Sequence, residues 1–451
     1  MNQKNVLLRR YLCKRLSEYF SQPADKVIGS IDPGIIPRAS SVISSGGTAK
    51  LPSRQHGAGA VKRRSIDFSS LINEWHWKYT YKRVYMEQRG MWLTPVELFY
   101  PFYSNIMANF VSASITTSLV EGVFEIVELG GGRGTNAIAL LDHLSEFYPD
   151  AYERLRCYTL FDTSSTLHDL QNEVLLGSNH SDIVKLVNVD MMDVAEGNSV
   201  FLSPSDTPTV VIALELLDNL PHDKIGRCII TGEILQAEVA PAASMEFDAM
   251  DEELHDPGAA RLDTPRQYTE TFSRMSDPLL KGILSTAPSL YAPTVGPRWV
   301  PTVALGILMK LFECRPNSTV AWADFDWLPP PNLSRGRNHA PLAETAAGDP
   351  LVTDMEGNDH MCYLTEQLLL CDILFPTDFD RLSDFAAQYL DKVAGQKSKS
   401  DAKSFTVLAL KQRDFLLKYG FDEVNKTKGW SGYSPLIDDF GNCSVLTITP
   451  R

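Results

Sequence analysis

The sequence predicts an α/β fold built on a mostly parallel sheet, and three observations lead there. Short apolar segments alternate with helix-like segments between residues 124 and 214. A glycine-rich loop joins the first apolar segment directly to the first helix. An acid stands at or just beyond the end of each apolar segment, where open α/β sheets gather their ligands.

The elements follow in order. Phe124–Leu129 is a short apolar run ending in glycines, which reads as a buried strand. Thr135–Phe147 carries Ile138, Leu141 and Leu144 at helical spacing. Tyr158–Phe161 reads as a second strand, ending at Asp162, and Ser164–Leu176 as a helix with Ser164 as its N-cap. Ile183–Val189 and Thr209–Leu214 give a third and a fourth strand, and Arg227–Ala240 a longer β segment or hairpin. Val320–Asp324 and Val445–Thr449 read as late strands.

Around this centre the chain divides unevenly. Residues 1–65 hold 12 Lys and Arg against 3 acids, a balance of +9, while the remaining 386 hold 30 against 53, a balance of −23. The first 17 residues are basic, acid-free and interleaved with Val6, Leu7, Leu8, Tyr11 and Leu12, the composition of a mitochondrial targeting segment. Residues 31–64 are rich in Ser, Gly, Pro and Ala and read as a disordered arm, with ordered sequence expected from about Ile66. The boundaries expected are therefore a targeting segment and arm at 1–65, a helical part at 66–120, a ligand-binding core at 121–240, an acidic insertion at 241–263 and a C-terminal substrate or cap part at 264–451. Pro329–Pro350 is Pro- and Gly-rich loop.

Composition excludes some classes. No apolar run approaches the roughly 18–20 residues of a membrane helix; the longest, around Thr302–Phe312, is broken by Lys310. The seven cysteines form no CxxC pair and no Cys/His cluster with zinc spacing, so no metal site is expected and the thiols read as buried and free. The acidic body disfavours nucleic acid and suits a basic partner, leaving the basic N-terminal arm as the one segment able to meet a polyanion.

The chemistry-bearing segment is Glu128-Leu129-Gly130-Gly131-Gly132-Arg133-Gly134-Thr135. Glycine permits positive φ and close approach of a ligand to the backbone, and a helix N-terminus offers free N–H groups. A dinucleotide fingerprint, GxGxxG from Gly130, would need its third glycine where Thr135 stands. The spacing is instead GxGxG with an acid two residues before it, the form used for S-adenosylmethionine (SAM). Asp162 lies where an acid takes both ribose hydroxyls, Asp190 and Met191 where an adenine is flanked, and Glu215 where the methyl group is presented. The fold class expected is thus the class I SAM-dependent methyltransferase, a Rossmann-like, mostly parallel sheet with an N-terminal helical segment and insertions.

These segments resemble the MidA-type SAM-dependent methyltransferases, a family that includes the mitochondrial arginine methyltransferase assisting respiratory complex I assembly. The family's ELGPGRGT loop is similar to residues 128–135, with Gly131 in place of Pro. FDTSSTL (161–167), ALELLDNLPHDKI (213–225) and LTPVELF (93–99) resemble further family segments; PRWVPT (297–302), ADFDWLP (323–329), NHAP (338–341) and DILFPTDF (372–379) resemble its eukaryotic branch. The likeness spans roughly residues 85–450. It departs at Leu214, where Asn is common, at Asn136, where an apolar residue is usual, and in the order Thr94-Pro95-Val96-Glu97.

The resemblance implies binding of SAM by Glu128, Gly130, Gly131, Gly132, Gly134, Asp162, Asp190 and Met191, and methylation of a protein arginine in the mitochondrial matrix. A guanidinium stays protonated, so a carboxylate must hold it. Glu215 and Asp218, three apart on the opening turn of an expected helix, are the catalytic candidates, with Asn219, His222 and Asp223 in support. The alternative is a catalytically weak or inactive assembly factor that uses the same fold as a docking body in a mitochondrial complex, respiratory complex I or the mitoribosome. The partner expected in either case is a basic protein substrate or a subunit of such a complex.

Overall fold

A computed structural model describes residues 5–22, 66–87, 94–117, 122–241, 268–293, 296–330, 348–354, 358–360, 362–364, 371–395 and 404–451. The expected arm at 31–64, nearly all of the acidic insertion at 241–263, most of the 329–350 loop and the NHAP segment lie outside these residues.

The central sheet has seven strands: β1 (Phe124–Leu129), β2 (Leu155–Asp162), β3 (Val184–Asn188), β4 (Thr209–Leu214), β5 (Ser318–Phe325), β6 (Phe405–Lys411) and β7 (Cys443–Pro450). Their order across the sheet is β6-β7-β5-β4-β1-β2-β3. The strands from β3 to β5 are parallel, with Val127 opposite Val211 and Ile212 opposite Ala321, while β7 runs antiparallel to both neighbours. From β1 the chain steps outward to β2 and β3, then returns to β4 on the other side of β1. The carboxyl ends of β1 and β4 therefore flank a topological switch point, the place where such sheets bind ligands.

β1 and β4 are buried at every position, as central strands covered by helices on both faces are. The acids within β1 are accommodated by partners: Glu125 pairs with Arg315 at 3.0 Å and with Arg156, and Glu128 is hydrogen-bonded by neighbours described below. Helices cover both faces. Phe102–Thr117, α2 (Thr135–Phe147) and Gln412–Lys426 pack on one, and Thr302–Cys314 and Phe379–Gly395 on the other, where Trp322 of β5 is fully buried. Ser164 caps α3 (Ser165–Leu176) by accepting from the Leu167 N–H at 3.3 Å.

Two sequence expectations are corrected. The expected substrate or cap part at 264–451 is largely scaffold: β5, β6 and β7 complete the sheet, β5 and β7 over the late strands expected at Val320–Asp324 and Val445–Thr449. Ordered structure also does not start at Ile66. Residues 8–20 form helix α1, docked on a second, five-stranded sheet through Leu8, Leu12 and Leu16, whose four-residue spacing lines up one buried face. Val6–Leu7 adds an edge strand to that sheet by pairing with Val239 and Glu238. The second sheet also contains Asp223–Arg227 and Ile234–Pro241, an antiparallel hairpin over the segment expected as β. Among the described residues no helix is long and apolar enough to cross a membrane.

Candidate cofactor site

The glycine loop leaves β1 at Leu129 and enters α2 at Thr135. Gly130, Gly132 and Gly134 all have positive φ, at 71°, 51° and 77°. At Gly130 a Cβ would lie 2.9 Å from Leu216 Cδ1, and at Gly131 a Cβ would lie 2.3 Å from Leu160 Cδ2. Leu160 thus accounts for glycine at the position where related loops carry proline. The loop is held by the Gly130 N–H donating to the Phe161 carbonyl at 2.8 Å and the Gly134 N–H to the Gly131 carbonyl at 2.8 Å. No side chain caps α2, and its first residues, Thr135 and Asn136, lie on the wall of the cleft.

A cleft opens at the switch point and is lined by Glu128, Gly130, Gly131, Gly132, Asp162, Asp190, Met191 and Glu215 among others. Eight of the ten sequence candidates converge there. Gly134 sits one step behind as the N-cap of α2, and Asp218 is not in the lining.

Each acid has a distinct setting. Glu128 is buried and accepts from Asn136 Nδ2 at 2.8 Å and Tyr158 Oη at 2.7 Å; burial outweighs both and pushes its carboxyl up to about 7. Asn136, the departure from the usual apolar residue, thus has a partner that an apolar side chain would not supply. Asp162 accepts from the Ser164 N–H at 3.0 Å and Gln171 Nε2 at 3.1 Å, and burial raises it to about 6. Gln171 also donates to the Gly132 carbonyl at 2.8 Å, tying α3 to the loop. Asp190 caps helix α4 (Met191–Glu196) through the Met192 N–H at 2.8 Å.

Glu215 follows β4 with φ 54°, the one described non-glycine residue with positive φ. Such backbone is costly and concentrates at functional positions. Its N–H donates to the Ala323 carbonyl at 2.9 Å, whereas Oε1 is shielded from solvent and has no hydrogen-bond partner among the described residues. Burial, then the nearby Asp324, hold its carboxyl well above the ordinary range.

The expected α-helix from Leu216 is instead a single 3-10 turn, Leu217–Asn219. Asp218 consequently faces inward toward Asp324 and Asp372, and burial followed by those charges raises its pKa strongly. Asp324 accepts from the Asp218 N–H at 3.1 Å and sits at about 7, as does Asp372, both because of burial. Asn219 lines the cleft and donates to Asp218 Oδ1 at 2.8 Å. His222 stacks on Phe375 at 4.2 Å and hydrogen-bonds the Leu220 carbonyl at 2.9 Å; burial lowers it to about 4, leaving it neutral and away from the cleft. Asp223 pairs with Arg9.

Sequence reasoning did not assign the remaining walls. Thr94, Val96 and Glu97 close one side, with Thr135 Oγ1 donating to Glu97. Cys13, Leu16, Ser17 and Phe20 of α1 close another. The first set had a signal in the LTPVELF resemblance; the second had none. Among the described residues no group of three or more His, Cys, Asp and Glu is arranged to hold a metal ion.

The residues present fit SAM: a glycine loop and a helix start on the wall of the cleft, an acid at the end of β2 beside them, and a shielded carboxylate oxygen at the end of β4. Comparison with known proteins agrees. The family model "Putative S-adenosyl-L-methionine-dependent methyltransferase" matches residues 108–395. A protein from Burkholderia thailandensis solved with S-adenosyl-homocysteine bound shares 15% identity at a TM-score of 0.50, over 79% of this chain and 78% of that one. A native structure of an uncharacterized Burkholderia thailandensis protein shares 14% at 0.44, over 77% and 79%. The CcbJ methyltransferase of Streptomyces caelestis shares 11% at 0.33, over 78% and 90%. No curated protein sequence matches. The first of these structures shows the fold; the family match spans the glycine loop, β1 to β5 and the Glu215 turn.

Proposed function

The chain belongs to the S-adenosyl-L-methionine-dependent methyltransferase family, and from that premise we propose that its acceptor is the guanidinium of a protein arginine, held by Glu215. The observation that carries this reading is Glu215 Oε1, shielded, with no hydrogen-bond partner among the described residues, on a residue of the cleft wall at the end of β4. When bound, SAM supplies a methyl group on a sulfonium. The protein's own residues supply alignment and charge. Asp162, Asp190 and Met191 hold the adenosine half, and the glycine loop with the start of α2 holds the carboxylate end.

Glu215 accepts N–H donors from a planar cation. In a water-excluded pocket such a charge-assisted bond is strong and fixes the acceptor nitrogen in line for transfer. A carboxyl whose pKa lies well above the usual range also takes up, at an oxygen, the proton the nitrogen sheds as the new N–C bond forms. The balance of −23 outside the first 65 residues favours approach of a basic protein. Asp218 acts from behind by fixing Asn219 and the turn.

We keep the mitochondrial matrix, and assembly of a complex there, as the setting of this activity. The basic residues Arg10 and Lys14 on the exposed side of α1 support it.

Glu215→Gln tests the acceptor. It keeps shape, removes charge and leaves the adenosine contacts intact, so SAM should bind within a few-fold of wild type. Transfer of labelled methyl to arginine in a basic peptide library should fall about a hundredfold, as expected for loss of roughly 3 kcal/mol in the transition state. Undiminished transfer, or label on a residue other than arginine, would overturn the reading. A docking body without turnover would show SAM binding and no label in either form.

A further inference from the structure

Helix α1 is part of the cofactor cleft although more than a hundred residues separate it in sequence from the glycine loop. Cys13, Leu16, Ser17 and Phe20 lie along one side of it and line the cleft. Two contacts place that side against the half occupied by Asp162 and Asp190. Cys13 Sγ donates to Asp190 Oδ2 at 3.4 Å, and Ser164 Oγ, beside Asp162, donates to the Phe20 carbonyl at 3.0 Å.

The helix is fastened by one buried cation. Arg9 is 1% exposed and meets carboxylates from three separate elements. Its Nη1 donates to Asp223 at 2.6 Å, Nη2 to Asp277 at 2.6 Å, and Nε to Glu196 at 3.1 Å. Asp223 belongs to the second sheet, Asp277 is the N-cap of Pro278–Thr286, and Glu196 ends α4. Helix α4 is thus gripped at both ends by α1: by Cys13 at Asp190, where it starts, and by Arg9 at Glu196, where it stops. Asp190 and Met191 are the residues expected beside the adenine, so the position of α1 and the shape of that subsite are set together.

Resting on the reading of this cleft as the SAM site, we propose that α1 is the outer wall of the adenosine subsite and that Arg9 is its positioning residue. A planar guanidinium suits the post because it meets three acids at once and stays charged when buried. Three carboxylates at one point have no other described cation of comparable burial to neutralise them. The wall is therefore expected to leave its seat whenever Arg9 is lost, and cofactor retention to go with it.

The test titrates S-adenosylhomocysteine into the full chain and measures its dissociation rate by stopped flow. Ser17→Trp fills the cleft from a half-buried position on α1 and should raise Kd at least tenfold. Arg9→Met should raise Kd by a similar factor, mainly through faster dissociation, with Arg9→Lys recovering part of the loss. In turnover assays KM for SAM should rise with kcat little changed, a split that general loss of folded protein would not give. If Arg9→Met does not fold, Ser17→Trp decides. Asp162→Ala is the reference for the site itself. Wild-type affinity in Ser17→Trp, beside a loss in Asp162→Ala, would overturn the role of α1 alone. Wild-type affinity in both would overturn the placement of SAM in this cleft as well.

Discussion

The acid at the end of β2 offers a measurable signature of cofactor binding. Asp162 is buried, and its hydrogen bonds from the Ser164 N–H and Gln171 do not compensate for lost water, so its carboxyl sits near 6, up from 3.8. To accept two ribose hydroxyls it must be ionised, because a carboxylate only accepts whereas a protonated acid donates at one oxygen. Binding is therefore coupled to release of a proton below about pH 6. A group of pKa 6 is about one-tenth ionised at pH 5, so affinity for S-adenosylhomocysteine should be about tenfold weaker at pH 5 than on its plateau above pH 7. Asp162→Asn keeps an acceptor oxygen and removes the titration. Its affinity should be lower by roughly 1–3 kcal/mol at pH 7.5, and the Asp162 part of the slope should vanish. Calorimetry across pH 5.0–7.5 in buffers of different ionisation heat reads both affinity and proton release. Glu128, near 7, titrates in both proteins and supplies the residual slope. A flat wild-type profile, or an identical slope in Asp162→Asn, would refute the assignment of Asp162 to the ribose.

Two further outcomes are expected. Asp372 has a raised folded pKa, about 7 against 3.8, so its contribution to stability is present at low pH and is lost as pH rises toward 7; this is worth at most about 4 kcal/mol by pH 8. The melting temperature of Asp372→Asn relative to wild type should therefore climb from pH 5 to about pH 7 and level off by pH 8, and a constant difference would show that the residue is not held neutral. A fusion of residues 1–65 to a fluorescent reporter should enter mitochondria, and neutralising Arg9, Arg10, Lys14 and Arg15 should stop it; a cytosolic fusion would remove the proposed setting.

What was legible in the sequence was local. A strand that ends in glycines and opens a helix must bring those residues to the sheet's carboxyl edge, so Gly130, Gly131, Gly132, Asp162, Asp190, Met191 and Glu215 could each be placed from their own strand end. Asp218 was not legible because its orientation depends on one backbone angle. With Glu215 at φ 54°, the helix does not run on from it but gives way to a single 3-10 turn at Leu217–Asn219, so Glu215 lies outside the turn and shares no helical side with Asp218. Strand β6 was not read because Phe405–Lys411 is half-buried and has no turn signal of its own. Helix α1 was read as lying outside the fold because basic residues at a chain start look alike whether they are solvated or paired. The partners that bury Arg9 lie 187, 214 and 268 residues away.

The turn after β4 bears on whether the fold turns over or only docks. Glu215, Asp218, Asp324 and Asp372 are gathered there, all held above the ordinary carboxylate range chiefly by burial. Desolvated carboxylates near one another destabilise a fold unless they stay protonated or meet a cation. Three of the four are satisfied in part: Asp324 and Asp372 accept backbone N–H groups, and Asp218 accepts from Asn219. Glu215 alone pairs strained backbone with a shielded oxygen that has no described partner, and it alone of the four lines the cleft. A docking body gains nothing from such an arrangement, since replacing Glu215 by an apolar residue would relieve both the desolvation and the unmet acceptor. A site that receives a cationic nitrogen gains specificity from it: the carboxyl stays neutral until a cation arrives, then ionises against it. That coupling is why the charge of Glu215, rather than its volume, is the property on which turnover is expected to depend.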